Sequence, residues 1–270
     1  MSKRVVTDSK YYKAIANMLR DKLGTNDTYK PSEMPAAIEA VAVKSGSESN
    51  DAFWEAFQFG GSKWDYTRAF SGGSWNATTF NPKYPLHCAG CEEMFCKFNH
   101  DASFEAVDLT KFDITTDKAT TFQFMFWNAN VSHIPAIDLT SATTSLWNIF
   151  TWTQTQFDSP LESIASLKMK EGQSLSKECF TGLKNLVTLL WLGTLTTSVW
   201  LQDCVKLSKE SILSLNKVLG TPTITNATIT LSLEAVNNAF ETKMGLADGS
   251  TSAEWLSVIE SNPLWVYSLL

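Results

Sequence analysis

The chain has 270 residues, 44% of them hydrophobic and only 19% charged, with a formal net charge of -6. That length can bury a sizeable core, and the acidic balance excludes the basic face that nucleic-acid binding requires. No apolar run approaches the roughly 18 residues of a membrane span, and Met1-Ser2-Lys3-Arg4 has no apolar stretch behind it, so neither membrane insertion nor a signal peptide is expected.

Residues 8–23 read as an amphipathic helix, with Tyr12, Ile15, Ala16 and Leu19 on one stripe and Leu23-Gly24 ending it. Pro31-Ser32-Glu33 starts a second helix with Ser32 as its cap, and Ile38 and Val41 continue the stripe. Residues 1–44 are therefore expected to form a helical hairpin, followed by the linker Lys44-Ser-Gly-Ser-Glu-Ser-Asn50. Residues 51–86 read as an N-terminal cap, with a short helix over 52–58, Ala69-Phe70 as an early copy of the apolar pair that recurs 25 residues later at Phe95, and a strand from Phe80 to Leu86.

Residues 87–206 repeat one apolar phrase. Phe104-x-x-Val107-x-Leu109, Ile134-x-x-Ile137-x-Leu139, Ile164-x-x-Leu167-x-Met169 and Leu186-x-x-Leu189-x-Trp191 share the same offsets, and their middle positions lie 30, 30 and 22 residues apart. Each phrase ends on the alternation of a strand with one buried face. Spacings of this size predict stacked repeats rather than hairpins. A second phrase precedes each strand, Met94-Phe95, Met125-Phe126, Ile149-Phe150 and Cys179-Phe180, with Asp203-Cys204 as a degenerate copy. Residues 207–270 read as a C-terminal helix-strand cap: a helix opening at Leu207-Ser208 and closing before Gly220, a strand over 227–233, helices over 234–243 and 252–261, and a strand over 264–270.

Phe180-x-x-Leu183-x-x-Leu186-x-x-Leu189-x-Trp191 resembles the leucine-rich repeats of bacterial surface-antigen proteins. Leu19-Arg20-Asp21-Lys22-Leu23-Gly24-Thr25 with Tyr29-Lys30-Pro31-Ser32-Glu33-Met34, and the closing Val236-Asn-Asn-Ala-Phe240 and Asn262-Pro-Leu-Trp265, resemble tail-associated proteins of phages of Gram-positive bacteria. The fold class expected is α/β, a leucine-rich-repeat solenoid with short parallel strands, an N-terminal helical hairpin and a mixed C-terminal cap. The resemblance implies a phage tail or virion protein, present in the bacterial cytoplasm before assembly, whose hairpin attaches to other tail proteins and whose repeats contact a host surface protein or glycan. A homo-oligomer stays open. The alternative is a bacterial surface adhesin or protein-interaction scaffold, which would need an export signal or wall anchor.

For chemistry, His87-Cys88-x-x-Cys91-x4-Cys96-x3-His100 has ligand types at short spacing. Ordinary repeat filling explains Cys96 equally, because Cys179 and Cys204 occupy similar places, so no metal or cofactor is assigned, and free thiols are expected. His133 beside Ile134 reads as a structural histidine. No nucleophile motif or phosphate-cradling loop is present, and no enzymatic activity is expected. If Val107, Leu109 and their equivalents point inward, the residues between them face the concave surface, with Asp108, Asp138, Lys168 and Leu190 in one column and Lys170 further on. Asp108 beside Asp138 would be a like-charge pair. Trp127 and Trp152, flanked by Asn128, Thr151 and Thr153, suit half-exposed rings and complete the candidate ligand-binding set.

Overall fold

Short apolar alternations become parallel strands along this chain, and none of them is longer than seven residues among those described. The computed structural model describes residues 17, 64–72, 80, 82, 86–99, 105–245 and 249–270. The hairpin expected over 1–44 (Asn17 apart), the helix over 52–58, Phe104 and His100 lie outside the described residues. The chain divides into two units, Met1–Gly60 with Asn81–Tyr84, and Gly61–Phe80 with Pro85–Leu270. All that follows concerns the second.

Three parallel sheets are formed among the described residues. The first joins β1 (Trp64–Asp65), β2 (Leu86–Gly90) and β4 (Ile114–Thr115). The second joins β3 (Val107–Asp108), β5 (Val131–Ile134), β6 (Ile137–Asp138), β7 (Ser163–Met169) and β8 (Thr188–Gly193), in the order β3-β5-β7-β6 with β8 also on β7. The third runs β11 (Val266–Leu269), β10 (Thr228–Leu231), β9 (Val199–Leu201). Three α-helices occur among the described residues: α1 (Lys209–Lys217), α2 (Leu233–Phe240) and α3 (Ala253–Glu260). Each begins at a serine, Ser208, Ser232 or Ser252, whose hydroxyl accepts an N–H of the first turn.

The α/β arrangement of three separate parallel sheets corrects the expected leucine-rich-repeat solenoid. Three local causes break the single ladder which that fold requires. Pro135 has no N–H to donate, so the stretch 131–138 splits into β5 and β6, which pair with different parts of β7 through Ile134↔Ile164 and Ile137↔Leu167. The 3-10 turn Leu109–Lys111, capped by Asp108, separates β3 from β4 and sends them to different sheets. Finally, α1 lies along β8 and its hydroxyls stand where another strand would bond. Ser211 Oγ accepts from Leu189 N at 2.9 Å, and Ser214 Oγ accepts from Trp191 N at 3.1 Å. A helix face has thereby closed a sheet edge.

The described apolar residues of the four repeated phrases are nevertheless buried, from Val107 at 2% exposure to Ile134, Leu167 and Leu189 at 0%. Register differs from expectation. Ile164 pairs with Leu189 and Leu167 with Trp191, with an irregularity between them, because three residues of β7 span what two residues of β8 span. The column therefore continues from Asp138 and Lys168 to Leu192, not Leu190. The β2 strand likewise starts at Leu86, whereas Leu86 was expected to end a strand.

A second ladder is built from turns. Phe70, Phe95, Phe126 and Phe150 each donate their N–H to the next layer, at Met94, Met125, Ile149 and Cys179 O, over 2.7–3.3 Å. Alternate N–H groups close local turns, such as Met94 N to Cys91 O at 3.1 Å, so the backbone donors of these layers are used. The rings of Phe70, Phe95, Phe126, Phe150 and Phe180 stack in sequence with centroids 5.3, 5.3, 5.8 and 5.5 Å apart. Each such pair adds about 0.5–1.5 kcal/mol beyond burial. The turns require left-handed backbone at recurring places, including Glu93, Phe124 and Asn148 at φ 53, 56 and 49. At Gly182, φ +74, the neighbouring layer leaves room only for glycine: a Cβ there would lie 2.2 Å from Trp152 O.

Candidate functional site

The strand-face residues are brought together only in part. Asp138 and Lys168 are register partners on β6 and β7, and Lys168 Nζ donates to Asp138 Oδ2 at 2.9 Å. Asp138 Oδ1 accepts from Thr140 N at 2.9 Å and from its hydroxyl at 2.6 Å, while Asp138 N donates to Thr116 Oγ1 at 2.7 Å. Asp108 repeats the local motif with Thr110, at 3.0 and 2.6 Å, and its register partner is His133. The expected like-charge neighbours are thus separated: Asp138 faces a lysine and Asp108 faces a histidine. His133 donates or accepts at Ser163 Oγ over 2.8 Å, as a satisfied structural histidine would. Lys170 is exposed, and its backbone N–H donates to Gln173 Oε1 at 2.9 Å.

Partial burial pushes the Asp138 carboxyl up, but the Thr140 hydroxyl, the Lys168 ammonium and the Thr140 N–H together outweigh it and hold the group below the usual carboxylate range. Burial likewise raises Asp108, and the Thr110 bonds, His133 and Lys111 outweigh it. A depressed folded pKa stabilises the fold above the unfolded value of about 3.9 and loses that stabilisation as pH falls through the folded value. Asp138→Asn should therefore melt below the wild type at neutral pH, and the gap should close on acidification below about pH 3.9 in paired thermal melts.

Two of the tryptophans, Trp152 and Trp147, sort differently from expectation. Trp127 is half-buried, edge-on to Phe124 at 6.1 Å and under the Lys97 ammonium at 5.1 Å. Trp152, expected to be half-exposed, is 4% exposed: its Nε1 donates to Phe157 O at 3.1 Å and its ring packs on Phe157. It is a core wedge. Trp147, left out of the candidate set, is instead 57% exposed. Thr143-Thr144-Ser145 before it and Asn148 after it give a polar setting like that of Trp152, so the sequence around the two rings does not separate them.

Trp147 borders a groove of about 360 Å³ between loops 142–147 and 172–176, whose lining carries no charged side chain. A larger cleft, about 580 Å³, lies near α2. One of its lining amides is already committed: Asn237 Nδ2 donates to Met244 O, and Asn237 Oδ1 accepts from Met244 N and from the Thr242 hydroxyl. Cys88 is buried and donates to Leu86 O, whereas neighbouring His87 is exposed on the other side of β2 and bonds Thr115 Oγ1 at 2.8 Å. Cys91 and Cys96 are buried, and no cluster of potential metal ligands occurs among the described residues. Among these residues no helix is long and apolar enough to cross a membrane.

Neither family models, nor curated proteins, nor solved structures match this chain.

Proposed function

We propose that this protein is a non-enzymatic binding module of a phage tail or virion that contacts a host surface protein or glycan. The observation that carries the binding role is Trp147, a large ring kept 57% exposed at the wall of an uncharged groove. Exposed tryptophans are the side chains most often responsible for binding energy at contacts. The carboxylates argue in the same direction. A general acid must hold its proton near neutral pH, whereas the Thr110 bonds lower the Asp108 carboxyl and the Thr140 bonds with Lys168 lower that of Asp138, which argues against these two as general acids. The virion location and docking of residues 1–44 on other tail proteins rest on the sequence resemblance alone. Nucleic acid is excluded from the proposed partners by the net charge of -6.

Fluorescently labelled full-length chain should sediment saturably with cells of Gram-positive bacteria and be displaced by excess unlabelled chain. Failure to bind any strain of a broad Gram-positive panel would reject the reading.

A further inference from the structure

The groove beside Trp147 has the chemistry of a saccharide site rather than of a peptide or anion site. We propose that it binds a neutral glycan chain, with the Trp147 indole as the platform against which one sugar ring stacks. This rests on the binding role proposed above and assigns that role its ligand class.

The platform is fixed by its backbone. Trp147 O accepts from Phe124 N at 3.0 Å, Leu146 O accepts from Ser176 N at 3.1 Å, and Asn148 N donates to Ser176 Oγ at 3.2 Å. Beneath it, Leu146 and Leu175 form a parallel bridge, and both are 3% exposed. The backbone that carries the ring is therefore held by the layers on both sides of it, and the side chain alone is left to be ordered on binding.

Around it the groove offers hydroxyls. Thr143 and Thr144 donate to Thr120 O at 3.3 and 3.5 Å, and Ser174 donates to Leu175 O at 3.4 Å. A hydroxyl that spends its hydrogen this way keeps acceptor lone pairs, which sugar O–H groups can fill. Sugar rings present an apolar C–H face to an indole and hydroxyls at their rim, the same division this groove presents. An anionic ligand would need a cation, and the lining has none. An apolar peptide anchor would need an open apolar pocket, and the two leucines are already covered. The volume of about 360 Å³ falls at the small end of the range of about 300–1,000 Å³ for ligand pockets, which fits one or two rings of a chain running along an open groove.

The test uses the full chain, titrated with neutral oligomers of glucose, galactose, rhamnose and N-acetylglucosamine, with anionic glycans and with a peptide library, read by calorimetry and tryptophan fluorescence. At least one neutral oligomer should bind, Trp147→Ala should weaken it at least tenfold with an unchanged melting temperature, and Trp147→Phe should restore part of the loss. Binding of neutral oligomers that survives Trp147→Ala undiminished overturns the site. Binding only of anionic glycans or peptides overturns the ligand class. A chain that sediments with cells but binds no neutral oligomer overturns this proposal and leaves the binding role standing; a chain that does neither removes both.

Discussion

Ile137→Asp should leave the second unit without a cooperative thermal transition. Ile137 is 1% exposed on β6, against Leu167 of β7, and a carboxylate there has neither water nor a cation to replace the lost contacts. An unpaired buried charge either costs several kcal/mol or protonates at a similar cost, a large share of a typical stability of about 5–15 kcal/mol. Ala136, the neighbouring residue, is exposed, so Ala136→Asp should melt within about 2 °C of the wild type, as surface changes within about 0.5 kcal/mol do. Circular dichroism melts of the two variants check both statements. A cooperative Ile137→Asp transition at the wild-type temperature would mean that the side chain faces out.

Gly193→Ala is the second large effect. Gly193 has φ +85, and a Cβ there would stand 1.9 Å from Met169 O, a backbone atom that accepts from Thr194 N at 3.1 Å. Neither side can move without separating the ends of β7 and β8. Left-handed strain of about 1–3 kcal/mol adds to this clash, and a melting temperature lower by roughly 6–12 °C is expected for a unit of this size. Gly72 provides the comparison, because its φ is +65 but nothing lies within 4 Å of an added Cβ. Gly72→Ala carries the strain without the clash, so its drop should be clearly smaller. Equal melting temperatures for the two variants would remove the close approach as a cause.

Much of the core was legible because burial obeys periodicity. The repeated phrases identified Val107, Ile137, Leu167 and Leu189 as inward-facing, and all are buried. The serine cap of α1 was readable from Ser208 ahead of an apolar stretch, whereas Ser252, expected as the first residue of its helix, is the cap of α3. Sheet connectivity was not readable from the same signal. Periodicity says which side of a strand is apolar, whereas a break depends on single residues: the proline at 135, the turn at 109–111, and two serines of a helix far along the chain. Register failed for a related reason: Ile164 pairs with Leu189 rather than Leu186, three positions on, and the one extra residue of β7 before Leu167 reduces that slip to two, so Lys168 meets Leu192 and not Leu190. For the site, Asp138 and Lys168 were correctly placed in one column, yet their mutual salt bridge and the Thr140 bonds consume the groups expected to face a ligand. Trp152 and Trp147 exchanged roles because five residues carry the chain from an exposed ring through the buried Ile149-Phe150 pair to a buried one. Polar neighbours flank both rings, so local composition does not separate them; Phe157, which covers Trp152, does.

The central claim is that the chain holds on to a surface without altering it. Purified walls of a bound Gram-positive strain, incubated with full-length protein, allow retention of the protein and release of soluble sugar or peptide fragments to be measured together. Retention that saturates with fragment release no greater than in protein-free walls is the expected result. Fragments that accumulate with time in molar excess over the protein would show turnover and contradict it.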